Sequence, residues 1–461
     1  MMDYNILREH DIRGEYPKQI NAKVAYKIGQ AFGTYLAQKK INTCLIGYDN
    51  RLSSEELQTA LTKGVLDTGT NVVNIGLSTT PLFNYSSILA EMPYGIMLTA
   101  SHNPASDNGF KIFGENYLHL EHAELSKVYE LIKNENFCVG KGQLSHEKYD
   151  NAYVRMLIEK TNLKKRLKVV IDCGNGTTSI LVKRIFGKLN LDVTYLNAES
   201  DGAFPVHNPD PNDPKNLKWL QEKILELKAD VGIGFDGDGD RVGIVDEKGN
   251  MLATDILIAI FAKDIAARYD KKDIIYDVKC SRALEIELKN IGANGLIKKN
   301  GSAYIETQMY KNRVLFGGEY SGHVFFADDY FGYDDGIYAG LRMVELLSGT
   351  EKKCSALYEH MEKFYNTPEI RVEVDDNQKW DIIEKIKDYA LNKHQEVLMI
   401  TGEDIEVLTI DGVRVNYPDG FSLIRCSNTS PQITLRFEAK TEKELEVRQT
   451  EYMNLLNSLI K

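Results

Sequence analysis

The chain has 461 residues, enough for about three to four domains of ordinary size. Its 43% apolar content supplies several cores and excludes a disordered chain. A formal net charge of −11, from 67 acidic against 56 basic side chains, lacks the basic footprint of a nucleic-acid binder, so any anionic ligand must be held by local positive clusters.

In the first hundred residues short apolar runs alternate with amphipathic segments. KINTCLIGYD (40–49) reads as a buried strand. A helix follows, with Ser53 and Glu56 forming a capping box and Leu57, Ala60, Leu61 and Val65 on one face. Gly69 ends it and NVVNIG opens the next strand, the pattern of a parallel sheet with helical crossovers. The stretch LTASHNPASDNGFK (98–111) is rich in turn residues, so composition alone leaves Ser101 either a loop serine or a nucleophile. No GxSxG elbow surrounds it, which disfavours an esterase.

CLIGYDNR (44–51), KVVIDCGNG (168–176) and DIIYDVKCSR (273–282) each run apolar residues into an Asp and a polar loop. The recurrence predicts three related α/β units. DGAFPVHNPDPNDP (201–214), with four prolines, reads as an ordered surface loop, after which a helix restarts with Pro214 near its first turn. From about residue 367 strands follow one another in hairpins (EIRVEV, IEVLTI, VRVNY, FSLIRC, QITLRFEA), with helices over KWDIIEKIKDYALNK and from Glu442, an α+β domain. The expected domains are 1–148, 149–250, 251–366 and 367–461.

The strongest chemical signal is VGIGFDGDGDRVGIVD (231–246), in which Asp236, Asp238 and Asp240 alternate with glycines between two apolar strands. Three carboxylates converging in a tight loop call for a cation, and oxygen ligands with no His or Cys nearby point to magnesium. An EF-hand fits poorly, because its sixth position would be Arg241 rather than glycine and the flanks read as strands; an acidic solvated turn fits less well with apolar flanks. Arg241, directly after the third carboxylate, can fork phosphate oxygens.

Two further clusters stand out. In GGEYSGHVFF (317–326), Glu319, Ser321 and His323 would lie on one face of an extended segment and suit a polyhydroxylated ligand; a Gly-rich strand end with an incidental His is the alternative. In LIRCSNTSPQITLRFEA (423–439), Arg425, Ser427, Asn428 and Thr429 could hold a phosphate monoester, or be ordinary hairpin residues. CGNG (173–176) is too short for a nucleotide fingerprint. Six cysteines without CxxC pairing suggest neither a zinc site nor a disulfide framework. No stretch has the length of a membrane span, and MMDYNILREHDIRGEY is charged where a signal peptide would be apolar. A cytoplasmic protein with no membrane or nucleic-acid partner is expected.

TASHNP with its downstream NGFK, DGDGDR, GEYSGH and RCSNT, in this order, resemble the α-D-phosphohexomutase family, most closely its bacterial phosphomannomutase/phosphoglucomutase branch. DIRG (11–14), FPVHNPDP and FGYDDGIY (331–338) extend the resemblance over almost the whole length. It implies three related mixed-sheet α/β domains plus a C-terminal α+β domain around a central cleft. It further implies that Ser101 is phosphorylated and that Asp236, Asp238 and Asp240 hold Mg²⁺ together with the phosphoserine oxygen. Arg13, Lys111, Arg241, Lys279 and His323 would line the reacting end, with Lys111 or His323 as general base. Glu319 and Ser321 would grip sugar hydroxyls, and Arg425, Ser427, Asn428 and Thr429 the phosphate that is not transferred. The implied reaction interconverts hexose 1-phosphate and hexose 6-phosphate, of glucose, mannose or both, through a hexose 1,6-bisphosphate that also serves as activator. A phosphoglucosamine mutase is the nearest alternative, a phosphopentomutase a remoter one and a non-catalytic sugar-phosphate-binding protein a third. Two departures are visible: LREHDIRG replaces the branch's FRxYDIRG, and KNGSAY (299–304) stands where KTGHS is usual, so Ser302 replaces a histidine.

Overall fold

Strand Thr43–Tyr48, buried along its centre, pairs in parallel with Asn71–Leu77 on one side and Gly95–Leu98 on the other, and helix Ser54–Leu66 makes the first crossover. This is the βαβ grammar expected of the first hundred residues. The computed structural model describes residues 2–375, 377–401, 405–427 and 431–460. The first sheet is mixed: Asp107–Phe113 runs antiparallel to both Gly95–Leu98 and Ile12–Glu15, and Leu144–His146 extends the other edge. Ser53 does precede the helix, but no capping box forms. Its hydroxyl accepts from Asn108 Nδ2 instead, at 2.8 Å, and Glu56 takes the Tyr16 hydroxyl at 2.7 Å.

The second sheet repeats the plan. Leu167–Asp172 lies parallel to Leu191–Leu196 and to Val231–Phe235, and Val242–Asp246 returns antiparallel. The proline-rich segment 201–214 forms no helix or strand, as its composition predicts. It is less superficial than expected: Phe204 is buried, and Pro211 packs where a side chain at Gly243 would sit. Pro214 lies in a turn ahead of the helix Lys218–Leu227 rather than in its first turn.

In the third repeat Asp273–Asp277 lies parallel to both Asn294–Lys298 and Phe316–Gly318. The C-terminal sheet is antiparallel throughout, with Gln432–Ala439 between Gly420–Cys426 and Ile370–Glu373, and Val413–Tyr417 and Glu406–Leu408 beyond. Helices Lys379–Thr401 and Glu442–Ile460 supply Ile382, Ile386, Tyr452 and Leu456 to one core with Val415, Ile424, Leu435 and Phe437. Helices segregated to one face of an antiparallel sheet make this the α+β domain anticipated from residue 367.

Two compact units result. The first comprises Met1–Ala253, Glu306–Lys311 and Ser321–Leu357; the second comprises Thr254–Ile305, Asn312–Tyr320 and Tyr358–Lys461. Among the described residues no helix is long and apolar enough to cross a membrane.

Candidate active site

In the first unit the antiparallel strands Val231–Phe235 and Val242–Asp246, in register from Phe235 opposite Val242, leave the hairpin loop 236–241 at their end. Both strands are buried, so the loop's side chains are fixed from beneath. The loop must fold tightly: Gly239 takes φ +81, and a Cβ on Gly237 would stand 2.6 Å from the Ser101 carbonyl oxygen. Asp236, Asp238 and Asp240 are at most 1% exposed, and ligand oxygens from the three lie within 4.8 Å of one another.

Asp236 is satisfied at both oxygens, Asp238 and Asp240 at one each. Asp236 Oδ1 accepts from the backbone N–H groups of Gly239 and Arg241, at 3.0 and 3.1 Å, and its Oδ2 accepts from Ser101 Oγ at 2.7 Å. Asp238 Oδ2 accepts from Thr80 Oγ1 at 2.6 Å and from Lys111 Nζ at 2.8 Å, and Lys111 also donates to Asp240 Oδ2. Asp238 Oδ1 and Asp240 Oδ1 are buried and accept no hydrogen bond among the described residues. Two orphaned carboxylate oxygens beside a third carboxylate are the donor set of a hard divalent cation. A buried acidic cluster able to hold a metal is therefore present.

The electrostatics follow from this crowding. Burial, reinforced by Asp240 and Asp238, pushes the Asp236 carboxyl well up from its ordinary value. Burial would do the same to Asp240, but Lys111, His323 and Arg241 outweigh it and hold that carboxyl well down. Lys111, on the strand Asp107–Phe113, is buried; desolvation opposes its charge, yet Asp238 and Asp240 raise its ammonium above the usual lysine value.

Ser101 sits at the end of the strand Gly95–Leu98 in the left-handed region, φ +50, and is 1% exposed. A non-glycine residue there stores of the order of 1 kcal/mol and must be held. Its N–H donates to Thr99 Oγ1 at 2.8 Å. Arg51 does the rest. Its guanidinium donates to the carbonyls of Ser101 (2.7 Å), Asn103 (2.7 Å), Pro104 (2.5 Å) and Asp107 (3.0 Å), while Nε pairs with Asp49 Oδ2 at 3.1 Å. Four guanidinium donors of one buried arginine are thus spent on shaping the serine loop, and the fifth on its carboxylate partner.

Around this centre, Arg13 donates to Asp11 at 2.6 Å and to Asn103 Oδ1 at 3.1 Å. Arg241 Nε donates to His323 Nε2 at 3.0 Å, which places the imidazole proton on Nδ1, 2.7 Å from Asp334 Oδ2 and 3.7 Å from Asp240 Oδ1. Ser321 Oγ is buried without a hydrogen-bond partner among the described residues, and Asn212 of the proline-rich loop donates to the Ser321 carbonyl.

The second unit carries the other expected residues. Lys279 Nζ lies 4.0 Å from Glu369 and above the Tyr320 ring. Arg425, at the end of Gly420–Cys426, pairs through Nε with Asp411 Oδ2 at 2.9 Å. Ser427 N–H donates to the Gln432 carbonyl at 2.8 Å. Asn428 and Thr429 lie outside the described residues. Glu319 accepts from Gly301 N–H at 2.9 Å and from the Asn300 side chain.

Thus Ser101, Arg13, Lys111, the three aspartates, Arg241, Ser321 and His323 share one unit, and Lys279, Glu319, Arg425 and Ser427 the other. The alternation of Glu319, Ser321 and His323 along an extended face is not realised. Residues 320–321 form a turn and Gly322 takes φ +98, so the pleat is broken between them. The sequence reading missed Arg51, Asp334, Asn300 and Asp411. Arg51 had a signal, a cation directly after a buried strand in CLIGYDNR; Asp334 stood in FGYDDGIY.

The order of these elements along the chain matches known sequences. The four phosphoglucomutase/phosphomannomutase descriptions, alpha/beta/alpha domains I, II and III and the C-terminal domain, match residues 5–138, 151–249, 253–364 and 369–454. A phosphomannomutase/phosphoglucomutase of Pseudomonas syringae pv. tomato is 40% identical, over 96% of this chain and 92% of its own length. A phosphoglucomutase of Neisseria gonorrhoeae is 34% identical, over 98% and 97%. The crystal structure of a phosphoglucomutase/phosphomannomutase family protein from Burkholderia thailandensis superposes with a TM-score of 0.90 at 33% identity, covering 100% of this chain and 98% of that one. With its serine loop, acidic hairpin and four consecutive domains in that order, the chain belongs to the phosphoglucomutase/phosphomannomutase family.

Proposed function

We propose that this chain is a phosphohexomutase that interconverts hexose 1-phosphate and hexose 6-phosphate, of glucose, mannose or both. The observation that carries the reading is the Ser101 hydroxyl, held in a strained, arginine-braced loop 2.7 Å from Asp236 and beside two carboxylate oxygens with no hydrogen-bond partner among the described residues.

In the proposed cycle Ser101 carries a phosphoryl group. The free hydroxyl of the bound sugar phosphate attacks that phosphorus and gives its proton to the general base, Lys111 or His323; the bond to serine oxygen breaks, that oxygen takes up a proton in turn, and a hexose 1,6-bisphosphate forms, which also activates the enzyme. The bisphosphate reorients, serine oxygen attacks its other phosphate, and the isomeric monophosphate leaves. Asp236, Asp238 and Asp240, with an oxygen of the Ser101 phosphoryl group, would hold Mg²⁺, which when bound supplies charge neutralisation at the transferring group. Arg51 keeps the serine oxygen aimed, Lys111 balances Asp238 and Asp240, and Arg241 orients His323. Phosphoryl transfer rests mainly on such positioning and electrostatics.

Arg13, Arg241, Lys279 and His323 are assigned to the reacting end, Glu319 and Ser321 to sugar hydroxyls, and Arg425, Ser427, Asn428 and Thr429 to the phosphate at rest. Glucose and mannose differ only at C2, so a grip on other hydroxyls would accept both. The proposed domains are 1–148, 149–250, 251–366 and 367–461. Six free cysteines, five of them buried, support a reducing, cytoplasmic setting.

The test is turnover of glucose 1-phosphate, with catalytic glucose 1,6-bisphosphate, by Ser101→Ala. Loss of activity, with phosphate found on Ser101 of the wild type by intact mass, is expected; undiminished turnover overturns the reading. Mannose 1-phosphate and glucosamine 1-phosphate in the same assay decide the sugar, and preference for the amino sugar would make the chain a phosphoglucosamine mutase.

A further inference from the structure

Asn300 occupies a position in the second unit that its chemistry explains. Its side-chain nitrogen donates to Asp277 Oδ2 at 2.8 Å and to Glu319 Oε1. Both neighbours are acceptors only, so the amide nitrogen rather than the oxygen must face them, and both of its hydrogens are used. Asp277 and Glu319 are 0% and 3% exposed; without a donor between them two carboxylates would be left to repel in a buried setting. Asp277 Oδ1 takes the Tyr320 N–H at 3.1 Å, so the same carboxylate also fixes the backbone next to Glu319. Gly301 N–H reaches Glu319 Oε1 at 2.9 Å with φ +134, a conformation open to glycine. Two donors therefore converge on one oxygen of Glu319.

The backbone of Asn300 is tied as well. Its N–H donates to Asp411 Oδ2 at 3.0 Å, the same oxygen that accepts from Arg425 Nε at 2.9 Å. One carboxylate oxygen thus joins the residue that holds Glu319 to the arginine assigned to phosphate. The threonine of KTGHS, which Asn300 replaces, has one hydroxyl hydrogen and cannot serve two carboxylates at once.

We infer that Asn300 is a positioning residue that aims Glu319 at the sugar hydroxyls, and that Asp411 links this aim to Arg425. The inference rests on the proposed role of Glu319. Because the grip on hydroxyls persists from bound substrate to transition state, losing it raises KM more than it lowers kcat. A hydrogen bond to a charged group sets the scale, roughly a 10- to 100-fold rise in KM.

The experiment measures kcat and KM for glucose 1-phosphate, with saturating glucose 1,6-bisphosphate, in wild type, Asn300→Ala, Asn300→Thr and Glu319→Gln. Asn300→Ala should raise KM roughly 10- to 100-fold with kcat within about 3-fold, and Asn300→Thr, which restores one donor, should fall between. If Asn300→Ala does not fold, as thermal unfolding would report, Asn300→Thr carries the same test. KM unchanged in the folded Asn300 variants while Glu319→Gln raises it overturns this inference alone; KM unchanged in Glu319→Gln overturns the role of Glu319 itself. For the link, the KM effects of Asn300→Ala and Asp411→Asn should combine to less than their product; multiplicative effects would sever Asp411 from the aim.

Discussion

Arg51 and Ser101 are joined by a buried hydrogen bond of 2.7 Å, from the guanidinium Nη2 to the serine carbonyl, across fifty residues of sequence. The same guanidinium reaches three more carbonyls of the loop, and its carboxylate partner Asp49 is held in turn by the Ser54 hydroxyl at 2.6 Å. The serine's unusual backbone is thus imposed by a side chain from the neighbouring strand end.

Arg51→Ala should cost about 3–5 kcal/mol of stability, because Asp49 is left as an unpaired buried charge. Arg51→Lys keeps the charge but not the planar five-donor fork, so it should recover part of that stability and little of the turnover. Denaturant unfolding and mutase assays on both variants check this. A lysine variant with wild-type turnover would show that the loop does not need the guanidinium.

Gly237→Ala should separate catalysis from folding. The added methyl would press the Ser101 carbonyl at 2.6 Å and meet Pro209 Cγ at 3.3 Å, so the serine backbone must shift. Displacement by about 1 Å commonly costs on the order of a hundredfold in rate. Gly349→Ala, whose methyl would meet only backbone oxygens at 3.6 and 3.7 Å, is the control expected to keep full activity. Equal kcat/KM for the two variants would contradict the proposed closeness of hairpin and serine.

Metal return should stabilise the protein through the acidic hairpin. Added to chelator-treated protein at a hundredfold excess over its Kd, Mg²⁺ should raise the unfolding free energy by about 2.7 kcal/mol. Asp238→Asn with Asp240→Asn should abolish that increment. A double variant that responds to Mg²⁺ as wild type does would place the metal elsewhere.

Stability should also depend on pH through His207. Burial opposes its charge, but the Asp172 carboxylate at 3.2 Å and the Asn208 carbonyl at 2.8 Å outweigh it and raise its pKa above the ordinary 6.5. A folded-state pKa above the unfolded one means that the imidazolium contribution is complete below about pH 6.5 and fades as pH rises through the folded-state value. The stability difference between wild type and His207→Gln should therefore shrink over the window that opens above about pH 6.5. A difference that is flat across that window would remove the linkage.

Much of the fold was legible because it is written in periodicity. The buried strands of the three repeats, the hairpin around DGDGDR and the change of grammar near residue 367 follow from apolar runs bounded by turn residues. The acidic loop was legible for another reason, since three carboxylates between two apolar strands need a counter-charge wherever they lie. What local pattern could not reach was partnership at long range. Ser53 and Glu56 have capping-box spacing, yet Asn108 and Tyr16, distant in sequence, claim them. Nothing local marks Asn300, whose role depends on where Asp277, Glu319 and Asp411 arrive. Gly322 at φ +98 explains the failed alternation in GEYSGH, because one left-handed glycine resets which way the next side chain points.

The interleaving of the two compact units sets a limit on how this chain can be cut or exchanged. Residues 253–364 match one family domain, yet Ala253, Glu306–Lys311 and Ser321–Leu357 within that span belong to the first unit and the remainder to the second. Glu319 and Ser321, two residues apart, fall on opposite sides of that division. The third repeat is therefore not a modular cassette: grafted into a relative, or expressed alone, it would take with it pieces of two cores and complete neither.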